Sequence, residues 1–316
     1  MSNQDYQELS NSTDCPAPRA NQYKEIQLRR AEIGQGTIIK RALPSREQRM
    51  IGAWCFLDHA GPVEFAAGDG LDVGPHPHIG LQTFTWMIEG TMMHGDSLGN
   101  KQLIRPKQVN LMTAGYGISH TEVAPDTETK MHAAQLWIAL PDDKRHMPPN
   151  FEHYPELPTI TEQGAVISVL VGDFVGQQSP VKVHTAMMGA DIAAEDADVE
   201  VLLDLNPAFE YAVLALEQEA TVNGFALTQD NMLVLELEND KLHIKMKKGS
   251  RLLLIGGEPF ETPIVLWWNF VARTIDDMRE AREQWIKHDV RFGEVAGYQG
   301  KRLIAPELPA GLKPSK

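Results

Sequence analysis

From Ile26 onward the apolar side chains arrive in short bursts. Residues 37–39, 51–57 and 82–88 are rich in β-branched or aromatic residues, and glycines, prolines and polar residues interrupt them at short intervals. That spacing predicts many short strands in a sandwich or barrel rather than long helices. A second set of such runs covers residues 165–171, 199–205, 211–216, 232–238 and 251–255. Between the two sets, residues 141–158 carry Pro148-Pro149, Pro155 and Pro158 among charges, which reads as an interdomain linker. One helix is expected late: Thr274 can cap it, Asp277 takes the capping-box position, and Ile275, Met278 and Trp285 recur at helical spacing.

These patterns divide the chain into a polar leader (1–24), a first domain (25–145), a linker (146–163), a second domain (164–273) and a helix with a C-terminal tail (274–316). The leader has almost no large apolar side chains, so it is expected to be flexible. The residues from about Asp289 are expected to run extended along the surface. A length of 316 residues suits two domains of ordinary size.

Charge narrows the partners. With Lys+Arg 29 against Asp+Glu 43 the net charge is −14, which repels nucleic acid and anionic membranes. The longest basic cluster, Lys245-Met246-Lys247-Lys248, reads as a solvated hairpin. Cys15 and Cys55 alone make no disulfide framework, no secretory signal is visible, and no apolar run is long enough for a bilayer span. A cytoplasmic location is expected.

The chemistry concentrates between Gly74 and Glu122. His76 and His78 stand at i, i+2, and so do His120 and Glu122. In a strand alternate side chains share a face, so each pair projects the same way and the two pairs can surround one ion. Pro77 places the first pair at a strand entrance or bulge. Gln82, Phe84, Trp86 and Ile88 share the parity of His76 and His78, which predicts that they line the same inward face. Three imidazoles and a carboxylate suit Fe(II), Mn, Ni, Cu or Zn and are poor ligands for calcium or magnesium. His59 is expected in a loop, His94 in a turn, and His132 as a satisfied surface residue. His184 and His243 stand alone in the second domain, which has no paired ligands and is expected to be metal-free. Trp267, Trp268 and Trp285 read as packing residues.

The runs His76-Pro77-His78-Ile79-Gly80-Leu81-Gln82-Thr83, Glu89-Gly90, His94-Gly95-Asp96-Ser97, Gly99-Asn100 and Met112 through Glu122 resemble the pirin family of the cupin superfamily. Weaker similarity continues through residues 135–141 and 257–260. The resemblance implies an all-β fold of two cupin (jelly-roll type) β-barrels, with a non-haem iron in the N-terminal barrel only. It implies that His76, His78, His120 and Glu122 are the ligands. Three positions depart from the family pattern: Gln82 replaces Glu, Ile79 replaces Arg, and Lys107-Gln108 replaces Gly-Asp. The first removes a charge expected beside the pocket.

The resemblance also implies dioxygenase activity toward flavonols such as quercetin. Glu122, two residues from His120 and the one carboxylate of the four-residue constellation, is expected to serve as both ligand and proton acceptor. Such flat substrates would suit an apolar pocket lined by Phe84, Trp86 and Met112. The alternative it implies is a redox-responsive regulatory protein that binds one metal and acts through a protein partner.

Overall fold

The computed structural model describes residues 23–314 except 35 and 236; residues 1–22, where most of the flexible leader was expected, lie outside the described part. Strands dominate, and the one helix among the described residues runs Ile275–Ile286. Thr274 caps it, its side chain accepting from the Asp277 backbone N–H, and Met278, Ala281 and Trp285 form its buried stripe.

Each of two β-barrels pairs a seven-stranded sheet with a four-stranded one. In the first barrel the large sheet runs in the order Asn150–Tyr154, Val109–Thr113, Leu81–Gly90, Lys130–Ala139, Trp54–Glu64, Thr37–Leu43, Arg29–Ile33. Its small sheet runs Asp72–His78, Ile118–Val123, Met92–Asp96, Lys101–Ile104. The second barrel repeats the plan from Thr159–Glu162 onward, with one exception: its outermost strand is Tyr23–Gln27, paired antiparallel with Asn231–Leu235. The proline-rich stretch and the residues just after it supply an edge strand to each large sheet, Asn150–Tyr154 and Thr159–Glu162, with the prolines flanking the strands rather than interrupting them.

The two large sheets pack against each other through their outer faces. Trp54, Leu57, Phe84, Trp86 and Leu136 of the first meet Leu170, Leu214, Val234 and Ile255 of the second in one continuous core. The Trp54 indole donates to the carbonyls of Met188 and Gly256 across this boundary. The second barrel's interior is filled by Val, Leu and Ile side chains such as Val169, Val201, Val213, Ile244 and Leu254.

Strand parity does not carry from His78 to Gln82 as the sequence suggested. Asp72–His78 and Leu81–Gly90 belong to different sheets, and the chain turns between them at Gly80, whose φ is +67°. A Cβ at Gly80 would collide with the Val271 carbonyl, so the turn requires glycine. After it, Phe84 and Trp86 face the second barrel, while Gln82 donates to Thr113 Oγ1 (2.9 Å) and the Lys182 carbonyl (3.3 Å). Gln82 is therefore not in the cavity wall, and its replacement of Glu removes no charge there.

Two histidines are also placed differently from expectation. His59 lies within the strand Trp54–Glu64 rather than a loop, and His132 is buried rather than on the surface. Their Nε2 atoms are 2.8 Å apart, and His132 Nδ1 meets Glu217 of the second barrel at 3.1 Å. Glu217 faces Arg251, which pairs with Asp191 at 2.6 Å, and Asp191 accepts from the Trp86 indole at 3.0 Å. A buried polar chain thus crosses the boundary between the barrels.

The tail after Asp289 is not simply laid along the surface. Phe292 and Ala305 are buried with Phe270, Met278 and Trp285 against Ile79. The Phe292 carbonyl accepts from Ser119 Oγ (2.9 Å), Tyr298 donates to Asp72 (2.8 Å), and the Leu303 N–H donates to the Pro75 carbonyl (2.8 Å). The last segment therefore straps the small sheet of the first barrel.

Replacing Asp191 by Ala leaves Arg251 without its closest partner and the Trp86 N–H without an acceptor. We expect a loss of about 3 kcal/mol or more, the cost of breaking a buried pair from one side. The urea midpoint of Asp191→Ala against wild type measures it.

Candidate metal centre

His76 and His78 end the edge strand Asp72–His78, and His120 sits opposite His76 on Ile118–Val123. An edge position accommodates Pro77, which pairs only with Ser119. The three histidines are buried, and one ring nitrogen of each lies within 4.8 Å of the others. Glu122 is outside that tight cluster but lines the same cavity, two residues along the strand from His120. The pairing register with the His76 strand slips between His120 and Glu122, a bulge beside the histidine cluster.

Hydrogen bonding orients each imidazole. His76 Nδ1 lies 2.9 Å from the Gly74 carbonyl and His78 Nδ1 lies 2.9 Å from the Asn269 carbonyl. A carbonyl can only accept, so both Nδ1 atoms carry the proton and both Nε2 atoms offer lone pairs. His78 Nε2 and His120 Nε2 are 3.0 Å apart. Two nitrogens each about 2.1 Å from one ion, and about 90° apart around it, stand about 3.0 Å from each other. The donor set and its spacing fit a divalent transition metal.

Burial sets the charges. It pushes His76 down to about 4 and holds His78 and His120 well below the ordinary histidine value, helped by the neighbouring imidazoles. All three are therefore neutral, as ligands must be, near pH 7. The same burial pushes Glu122 up to about 7.

The cavity in front of the cluster has a volume of about 510 Å³, within the range of small-molecule sites. Its walls differ from the expected set. Phe84 and Trp86 belong to the core between the barrels, and Met112 packs with Leu81 and Ile118. Instead Phe56 and Trp137 stack at 4.0 Å with 12° between their planes, and Trp137 meets His78 edge-on. Trp267 and Trp268, assigned to packing from the sequence, do pack with Phe270 but also line this cavity. Polar groups complete the wall. Arg41 clamps Asp58 with two bonds of 2.6 and 2.7 Å and lies over the Phe56 ring. Gln135 joins them, its carbonyl already accepting from Thr85. The signal for these residues was present: Phe56/Asp58 and Gln135/Trp137 alternate at i, i+2 on neighbouring strands.

His94 is likewise not a bare turn residue. It is buried on Met92–Asp96, stacked on Phe151 at 4.2 Å, with Nδ1 3.4 Å from His120 Nδ1 and Nε2 3.2 Å from Asp96. A larger, more open groove of about 890 Å³ flanks residues 172–188 of the second barrel and includes His184 but no clustered ligands.

Two barrels, with clustered histidines in the first and an apolar filling in the second, define a bicupin with a metal-competent N-terminal barrel. Comparison with known proteins narrows the class. The Pirin family model matches residues 36–138 and the Pirin C-terminal cupin domain model matches residues 190–293. A Pseudomonas aeruginosa protein provisionally named a quercetin 2,3-dioxygenase is 49% identical over 302 residues, 96% of each chain. A pirin-like protein of Caulobacter vibrioides is 34% identical, covering 81% of this chain and 90% of its own. The crystal structure of a quercetin 2,3-dioxygenase from Acinetobacter baumannii superposes with a TM-score of 0.92 at 68% identity, covering 93% of this chain and 98% of that one. The chain belongs to the pirin family. Among its described residues no helix is long and apolar enough to cross a membrane.

Stripped of metal, the protein should lose stability as pH falls from about 6.5 toward 4. His59 (held at about 3), His76, His78 and His120 all resist protonation when folded but accept it when unfolded. Each contributes up to about 1.4 kcal/mol per pH unit across that window. Glu122 works with the opposite sign between its unfolded value and about 7, as do Asp58 and Asp191, which burial also raises, while the lowered His146, His153 and His184 add to the histidine side. Thermal melting of chelator-treated protein at pH 7 and pH 5 checks the direction; equal melting temperatures would contradict it.

Proposed function

We propose that this chain is a metal-dependent dioxygenase that cleaves flavonols such as quercetin, with one divalent metal, most suitably Fe(II), held by His76, His78, His120 and Glu122. The observation that carries the reading is the convergence of three neutral, hydrogen-bond-oriented imidazoles and one carboxylate on a cavity walled by stacked aromatic rings. The names borne by the Pseudomonas and Acinetobacter relatives support the same chemistry.

A divalent ion bound there would supply Lewis acidity toward an enolic oxygen and a meeting place for dioxygen. The chain's own residues do the rest. Phe56, Trp137, Trp267 and Trp268 offer flat apolar surface that matches a planar polyphenol and excludes water. Arg41 and Gln135 present polar edges on the wall, where phenolic oxygens can find donors. Glu122 accepts the proton of the substrate hydroxyl, because its buried carboxylate binds protons more readily than an ordinary one. Asp58 cannot share that task while Arg41 grips both of its oxygens.

Elemental analysis should find about one metal per chain, and His76→Ala or His120→Ala should remove most of it with the circular dichroism spectrum retained. Two tightly bound ions per chain would contradict the site. Glu122→Gln keeps the shape and an oxygen donor, so part of the metal should stay while turnover falls on the order of a hundredfold. The deciding quantity is aerobic turnover per bound metal on a flavonol panel. Near-wild-type turnover in the Gln variant would defeat the base role, and an iron-loaded wild type inert toward every flavonol under air would defeat the reaction.

A further inference from the structure

We infer that His94, backed by Asp96, is a positioning residue that fixes His120 in the tautomer able to bind metal. The inference rests on the ion site proposed above and not on the reaction carried out there.

His76 and His78 have their Nδ1 protons taken by backbone carbonyls, which leave no choice of tautomer. His120 has no carbonyl in that position. Its Nδ1 faces another imidazole, His94 Nδ1, at 3.4 Å. An imidazole nitrogen can donate or accept, so this contact alone does not decide where the protons sit. If His94 Nδ1 carried a proton, His120 Nδ1 would have to accept it. The His120 proton would then move to Nε2 and point into the ligand cluster, where a lone pair is needed.

Asp96 decides between the two arrangements. One of its oxygens, Oδ1, accepts from the backbone N–H groups of Leu98 and Asn100 and from the Asn100 side chain. The other, Oδ2, faces His94 Nε2 at 3.2 Å and also accepts from Asn100. The donors from Leu98 and Asn100 bond to both oxygens and favour the ionised carboxylate. A carboxylate only accepts, so the His94 proton resides on Nε2, its Nδ1 is a lone pair, and His120 donates through Nδ1. His120 Nε2 is then free to ligate. All three side chains are buried, and Phe151 stacked on His94 prevents the ring from swinging aside. The strand register puts His120 opposite Asp96 and Glu122 opposite His94, so the two pairs of residues are set by the same ladder.

Asp96→Asn is the sharpest variant. The amide keeps the shape but can donate to His94 Nε2, which moves the His94 proton to Nδ1 and sets donor against donor at His120. His94→Phe keeps the ring and its stacking on Phe151 while removing the acceptor. His94→Gln restores a side-chain acceptor. With full-length protein and zinc as the probe, chelator competition should show affinity reduced 10–100-fold in Asp96→Asn and His94→Phe, the range for lost outer-shell partners. His94→Gln should recover part of the loss. In 1H–15N spectra of the zinc-loaded protein, the His120 Nδ1 proton should be hydrogen-bonded and slow to exchange in wild type. It should shift upfield and exchange faster in the first two variants, a change that general loosening of the strand would not confine to one ring. Affinities within twofold of wild type, with that resonance unmoved, overturn the assignment. A wild type that takes up no zinc overturns it along with the ion site. The expected losses in a protein that cleaves no flavonol uphold the assignment and defeat only the reaction.

Discussion

A barrel that keeps polar side chains and a cavity inside draws less of its stability from a filled interior, even with apolar clusters such as Met87, Met92, Ile104 and Met131 beside the cavity. The first barrel gives up that space to His76, His78, His120, Glu122 and the Arg41–Asp58 pair. It compensates on its outer face, where Trp54, Phe84, Trp86 and Leu136 are buried against the second barrel. Each large side chain so buried contributes about 2 kcal/mol relative to exposure. The second barrel, apolar within and apolar on the facing sheet, is the counter-surface that makes a hollow neighbour possible.

Burial in the cavity acts on His76, His78, His120 and Glu122 at once. It keeps the histidines uncharged and so ready as ligands, and it also raises the affinity of Glu122 for protons. A site open to water would give neither. The aromatic walls thus help set the dielectric around these groups as well as the shape of the cavity.

The fold class was legible because short apolar runs between turn residues have no helical reading, and the two i, i+2 pairs do line one cavity, although a bulge leaves Glu122 outside the tight cluster of three histidines. Strand parity failed across Gly80. A single left-handed residue between two strands of different sheets sent Phe84 and Trp86 to the boundary between barrels. His94, His59 and His132 were misread for a related reason: an isolated histidine shows nothing in the sequence about which strand lies beside it. Asn269, Trp267, Trp268 and Leu303 were out of reach altogether, being brought to the cavity by packing from far along the chain, with Asn269 lying 191 residues from His78.

That last contact has a bearing on the order of synthesis. The carbonyl that orients His78 belongs to Asn269, and Leu303 closes part of the cavity wall. At the other end, Tyr23–Gln27 is a strand of the second barrel although it precedes the first. A ribosome that has finished the first barrel's own strands has made neither the acceptor for His78 nor that part of the wall, and it still holds a strand with no sheet to join. The cavity therefore reaches its finished form only after residues as late as Leu303 have joined it, long after the strands that carry the histidines.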